Sequence, residues 1–301
     1  MEKLAVSGRP YIGGTPDTRR VMIDLLIALV PAVEAAIILY GLKTLAIIAV
    51  CVAASMLSEF FFNKIAKKPI TATDLSAAVT GLLLALSLPT SVTLWQCLVG
   101  SIFAIVIIKC AFGGLGYNFA NPAVTAKVML IIAFGTTVSR AVPGGNVVDL
   151  LFGYAQEGAA IGATSAFAIL LGAIYLILRG VIGWETPVVY VVCTFLLSFA
   201  IGGNAGEALN SILGGGLLLG AVFMATDPVT TPRKALGKAI FAFFCAILTV
   251  LIWSFGKYAD GVAFAILFMN IVTPYLDKLT DKLLEKKEKP AEAEPVEEVA
   301  E

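Results

Sequence analysis

The chain has 301 residues, 59% of them hydrophobic, and a mean hydropathy of +0.93, too apolar for a fold with a wet surface, which places it in lipid. Its 21 basic and 21 acidic residues cancel, so nothing points to nucleic acid. The absence of histidine removes imidazole general bases, His-ligated haem or zinc, and His proton relays.

The polar opening, residues 1–20, leads into a long apolar run without a small-residue cleavage pattern, so a retained first helix is predicted. Apolar segments follow at about 21–42, 44–62, 73–88, 94–112, 122–138, 164–178, 187–201, 212–226, 239–255 and 262–276. This predicts an all-α membrane protein of about ten transmembrane helices, although several segments are shorter than the roughly 20 residues needed to cross a ~30 Å hydrocarbon core. With the N-terminus inside, alternate crossings leave only Lys43, Arg140 and Lys257 outside and Lys127 within a span, and put every other Lys and Arg on the cytoplasmic side. That is the asymmetry of the positive-inside rule, and it predicts two cytoplasmic termini. Residues 139–163 become the largest external loop, and the charged tail, 277–301, reads as a solvated, disordered end.

The membrane domain, 21–276, reads as two halves, 21–138 and 164–276, of five spans each. In the first, TDLSAAVTGLLLALSLP precedes a full helix and then GGLGYNFANPA; in the second, GGGLLLGAVFMATDP precedes a full helix and then GKYADGVAFAILFMNIVTP. An odd number of spans inverts the second half relative to the first. Inverted repeats with Gly/Pro-broken half-helices place a binding site near the midplane.

Residues that could carry chemistry are few. Cys51, Cys97, Cys110, Cys193 and Cys245 are scattered without a CxxC pair and read as packing residues; Cys110, beside a glycine loop, is the one placed to approach a partner's cluster. Gly162-Ala163-Thr164-Ser165 opens the sixth span at the external loop. Thr164 there either caps the helix or carries a phosphate, which the free N–H groups and the helix dipole would stabilise. Asp24, Glu34, Glu59, Asp74, Asn118, Asn121, Asp227 and Asn270 fall within or beside spans and should face the protein interior. They either pair with Arg19, Arg20, Lys127 or Arg233, or line a cofactor or ion pocket at GLGYNFANPA and ATDPVTTPR.

GRPYIGGTPDTRRVMIDLLIALVPA, TDLSAAVTGLLLALSLPT, GGLGYNFANPA, GAAIGATSAFAILLGAIYL, GGLLLGAVFMATDPVTTPR and DGVAFAILFMNIVTPYLD, spread over residues 7–277, resemble the D subunits of the Rnf complex, an ion-pumping ferredoxin:NAD oxidoreductase. That family is related to the B subunits of the sodium-translocating NADH:quinone oxidoreductase. The resemblance implies a component of an Na⁺- or H⁺-translocating enzyme in the bacterial cytoplasmic membrane, not catalytic alone. It implies partners in the A, B, C, E and G subunits, including an external FMN-bearing subunit and iron–sulfur subunits, and a flavin transferase.

It also implies FMN joined through its phosphate to Thr164, and a non-covalent riboflavin toward the cytoplasm, for which Asn118, Asn121 and Asp227 are the candidate ligands. One departure stands out: many members have Ser-Gly-Ala-Thr with an aspartate just before, whereas Ile161 precedes the glycine here and Asp149 is distant, with Ser165 as an alternative acceptor. Two other classes compete with the flavoprotein reading. One is a non-redox channel or carrier of urea-transporter-like architecture, and the other a structural membrane anchor.

Overall fold

A computed structural model describes residues 18–69, 71–136, 147–153, 159–214, 216–256 and 260–288. The chain is helical throughout these residues, apart from turns and an isolated β-bridge between Pro89 and Ala160. Helix α1 (Thr18–Tyr40) turns at Gly41, whose φ of 71° lets α2 (Leu42–Ile65) start at once. A 3₁₀ turn (Ala72–Asp74) and a left-handed Leu75 lead into α3 (Ser76–Ser87). At 12 residues α3 covers only about 18 Å. It is apolar and buried on nearly every side, which marks a helix inside the protein rather than one facing lipid.

A capping box of Thr93 and Gln96 starts α4 (Leu94–Ile102), which winds on as a π-helix over Phe103–Cys110. Helix α5 (Pro122–Phe134) has Asn121 as N-cap, Pro122 in its first turn and left-handed Gly135 as its stop, the expected signals for a defined short helix. The short α6 (Val147–Phe152) and a 3₁₀ turn (Ile161–Ala163) precede α7 (Ala166–Leu178), which is followed by α8 (Glu185–Gly202). Helix α9 (Ala205–Gly214) meets α10 (Leu217–Leu219) at a 58° bend, and α10 continues as a second π-helix, Gly220–Met224. Helices α11 (Ala235–Phe255) and α12 (Gly261–Glu288) close the chain.

Five of these helices, α1, α2, α8, α11 and α12, are long and apolar enough to cross a membrane, and α9 with the segment to Met224 makes a sixth if the bent pair is one span. Helices α3, α5, α7 and the α4 segment to Cys110 are apolar but shorter. The protein is a multi-pass membrane protein, and its outward faces, with Ile38, Ile65, Leu178 and Phe255 all more than three-quarters exposed, suit lipid or neighbouring subunits.

Helix α2 packs on α3 and α4, α11 packs between α8 and α12, and α1 lies along α7. Small residues allow the close approaches: a methyl group on Gly81 would lie 2.6 Å from the Cys51 carbonyl, and one on Gly172 would collide with the Ala28 carbonyl.

Two expectations need correction. The chain from Asp277 does not begin as a disordered end: α12 runs on to Glu288, with Asp277 and Thr280 buried while Lys278, Leu279, Asp281, Lys282 and Leu283 are exposed. Asp277 accepts the Arg233 N–H at 3.0 Å, and Lys234 pairs with Asp281 at 2.9 Å, so the loop before α11 holds this extension in place. Glu34 does not face the interior; it lies on the exposed side of α1. The rest of the tail, 289–301, the N-terminal segment to Asp17, and most of the predicted external loop lie outside the described residues.

Candidate functional site

The broken segments of the two halves meet. A partly open cleft with a cavity volume of about 60 Å³ lies between α1, α3, the ends of both π-helices and the loops that follow them. Asn118, Asn121 and Asp227 all line it, so residues separated by more than a hundred positions in sequence are brought together.

Their polar atoms are not equally free. Asn121 Oδ1 accepts the Ala123 and Val124 N–H groups at 3.0 and 3.3 Å as the N-cap of α5, and its Nδ2 donates to the Met224 carbonyl at 3.3 Å, tying the two halves together. Asp227 folds onto its own loop, accepting from Val229 N at 3.3 Å and Thr230 Oγ1 at 3.1 Å. Asn118 Nδ2 donates to the Ala120 carbonyl at 3.1 Å, but its Oδ1 is buried without a partner among the described residues. Of the three, Asn118 is the one with a polar atom that has no partner at all among the described residues.

The sequence reading missed the cation in this wall. Lys109, assigned there to the cytoplasmic side, is 2% exposed at the end of the first π-helix and lines the cavity beside Ser76. Its ammonium donates to Glu59 Oε1 at 2.7 Å and to Ser76 Oγ at 2.6 Å. Ser76 in turn donates to Asp74, while Thr71 donates to Glu59 Oε1 at 2.8 Å and accepts from Asn63. The signal was present: a lysine after FAIVII inside a long apolar run should be treated as buried and partnered. Both cavity walls contain π-helices, a distortion frequent at functional sites.

Asp24 and Lys127 also pair, each with a partner that periodicity did not suggest. Asp24 binds Tyr175 at 2.8 Å and Arg179 at 3.3 Å, and Lys127 meets Asp260 at 2.5 Å. Asn270 is buried in α12 with both amide atoms unpartnered among the described residues. Cys51 and Cys97, treated as scattered, lie fully buried in the same cluster of the core.

At the opposite end of α3, Ile161 N donates to the Leu88 carbonyl at 2.9 Å and so fixes the turn that presents Thr164. The capping role proposed for Thr164 belongs to Ser165. The Ser165 hydroxyl accepts Ala168 N–H at 3.2 Å and donates to the Leu151 carbonyl at 3.0 Å. Thr164 is 5% exposed, and its Oγ1 has no partner among the described residues. A buried hydroxyl left unpaired costs about 1–3 kcal/mol, so its presence needs a reason. A phosphoester bond at Thr164 would remove that hydroxyl's proton, and Ser165 would go on capping α7. Thr44, Ser55, Ser101, Thr136 and Ser198 also carry buried hydroxyls without a partner among the described residues, so what sets Thr164 apart is its place one residue before the α7 cap.

Comparison with known proteins gives these features a context. The NQR2, RnfD, RnfE family model matches residues 5–284. The D subunit of the Na(+)-translocating ferredoxin:NAD(+) oxidoreductase complex of Acetobacterium woodii is 37% identical, over 92% of this chain and 93% of that protein. The D subunit of the proton-translocating ferredoxin:NAD(+) oxidoreductase complex of Clostridium ljungdahlii is 34% identical over 91% and 94%. The D subunit of the ion-translocating oxidoreductase complex of Citrobacter koseri is 31% identical over 91% and 97%. On a match that covers nearly the whole chain, including both broken segments and the turn at Thr164, the chain belongs to the NQR2, RnfD, RnfE family.

Proposed function

We propose that this chain is the D subunit of an ion-translocating ferredoxin:NAD oxidoreductase complex and that it holds flavins by which electrons cross the membrane. Near-full-length similarity to D subunits supports the assignment, and because those relatives are named for Na⁺ and for protons, the ion itself is left open. The observation that carries the flavin reading is the buried, unpartnered hydroxyl of Thr164 beside a helix capped by Ser165. FMN attached there through its phosphate, and a non-covalent riboflavin in the cavity, would supply the electron-carrying isoalloxazine rings.

The chain's own part is binding and orientation. Thr164 would provide the attachment oxygen and the α7 N-terminus a favourable field for the phosphate. In the cavity, Asn118 Oδ1 is an acceptor without a partner among the described residues, Asn121 shapes the wall by joining the halves, and Asp227 holds its own loop. The asparagine's hydrogen-bonding capacity suits the pyrimidine edge of a flavin.

We also read the architecture as ten spans in two inverted repeats with both termini cytoplasmic. What supports this is that short buried helices occur in both halves, that α2 with α4 and α8 with α11 pack in corresponding ways, and that α1 lies along its counterpart α7. The partners are the remaining subunits of the complex, including the external FMN-bearing and iron–sulfur subunits, together with the flavin transferase. The site is a bacterial cytoplasmic membrane.

The test is peptide mass spectrometry on the chain made together with its flavin transferase. FMN minus water on the peptide containing Thr164, absent from Thr164→Val, is the expected result. An unmodified Thr164 while the transferase demonstrably modifies another subunit would move the channel or anchor readings ahead. Flavin on Ser165 instead would displace Thr164 as the acceptor and remove the α7 cap.

A further inference from the structure

We propose that the Lys109 ammonium, held by Glu59 and Ser76, is the group that raises the reduction potential of the flavin bound in the cavity between α1, α3 and the two π-helices. This rests on the reading that the cavity takes a non-covalent flavin.

Lys109 is among the largest fully buried side chains of the protein, and an ammonium taken out of water needs compensation that its surroundings only partly give. It has three donors, and two are used, on Glu59 Oε1 and Ser76 Oγ. Glu59 shares the same oxygen with Thr71 and leaves its Oε2 buried without a partner among the described residues, so the pair is not closed on itself. Lys109 and Ser76 line the cavity, with Asp74 and Glu59 behind them. Among the described residues the other charged group lining the cavity is Asp227, whose two oxygens accept from Val229 and Thr230 of its own loop. Asn118 Oδ1 in this wall is an acceptor without a partner among the described residues.

The wall thus offers a cation with a donor to spare and an amide acceptor. That is the complement of the flavin pyrimidine edge, which has carbonyl oxygens and N1 as acceptors and N3–H as a donor. Uptake of two electrons and one proton leaves one negative charge on the ring, concentrated near that edge. In a cavity lined largely by apolar side chains, a fixed ammonium stabilises the reduced ring over the oxidised one, because the ion–ion attraction exists only in the reduced state. Glu59 acts with the opposite sign, by partly cancelling the ammonium's field.

The two residues of one ion pair are therefore expected to move the potential in opposite directions, which a purely structural pair would not do. The measurement is a spectroelectrochemical titration with dithionite on the full-length Thr164→Val chain, in which an extractable flavin is the sole chromophore of its kind. Lys109→Met shifts the reduction equilibrium against the reduced flavin by at least tenfold, about 30 mV more negative for a two-electron couple. Glu59→Gln shifts it to more positive potential.

Because Lys109→Met leaves Glu59 buried and unpaired, the Glu59→Gln/Lys109→Met double variant keeps the test decisive if the single variant does not accumulate. It too should titrate below the parent. Unchanged potentials in both Glu59→Gln and the double variant, with flavin bound, overturn the inference while leaving the flavin site intact. Loss of flavin from a double variant that keeps its melting temperature also overturns it, since the ammonium would then hold the flavin rather than tune it. A parent chain that carries no extractable flavin removes the underlying reading, and the inference with it.

Discussion

The pair formed by Lys127 and Asp260 joins the two halves of the chain at depth, and its removal should be felt strongly. Lys127 lies in the second turn of α5 and Asp260 just before α12; their side chains are 8% and 3% exposed, with Nζ 2.5 Å from Oδ2. Lys127→Met strands the Asp260 carboxylate in the interior, and Asp260→Asn strands the ammonium. Each should cost about 3–5 kcal/mol, the usual penalty for an uncompensated buried charge. Asparagine preserves capping at the start of α12, where Asp260 Oδ1 faces Ala263 N at 3.5 Å, so the Lys127→Met/Asp260→Asn double variant should lie within about 1–2 kcal/mol of the native chain.

At roughly 2 °C per kcal/mol for a chain of this size, the single variants melt roughly 6–10 °C lower and the double variant within about 4 °C. Thermal melts of detergent-purified protein, followed by intrinsic tryptophan fluorescence, give the coupling by a double-mutant cycle. Single variants melting within about 2 °C of the native chain, or a double variant falling by the sum of the two, would refute the view that this pair is one mutually compensating unit.

Ser165→Ala should lower stability by about 1 kcal/mol through loss of the α7 cap, while leaving the covalent flavin on Thr164; denaturing-gel flavin fluorescence with a parallel melt separates the two effects. Asn121→Ala should cost about 2 kcal/mol by removing both the α5 cap and the bond to the Met224 carbonyl, again read from the melt. Gly172→Ala should cost about 1–3 kcal/mol, because the added methyl meets backbone at Ala28 and α1 must move off α7. Ile174→Ala, at an exposed α7 position, is the control expected to change the melt little.

Much of this protein is legible in its residues alone. Composition and the absence of histidine place it in lipid and remove whole classes of chemistry. Gly- and Pro-rich breaks at GGLGYNFANPA and ATDPVTTPR mark the place where the halves meet, since backbone can be irregular at membrane depth only where protein or a cavity surrounds it. The turn at Thr164 is visible because a polar pair at the start of an apolar helix is a local signal. Which member of that pair caps the helix is not local: it depends on the Leu151 carbonyl, which fixes the Ser165 hydroxyl and leaves that of Thr164 unpaired among the described residues.

Charge counting treats Lys109 as a cytoplasmic topology marker, because a rule about loops cannot see a carboxylate fifty residues away in α2. It likewise cannot know that Asp24 finds Arg179, or that Lys127 finds Asp260. Hydropathy along the chain marks the apolar segments, five of which lie in helices long enough to cross a membrane, as transfer from water is a property of each segment alone. Only the tertiary structure decided which polar atoms were left without partners, because satisfaction of a buried group depends on what the rest of the chain brings to it.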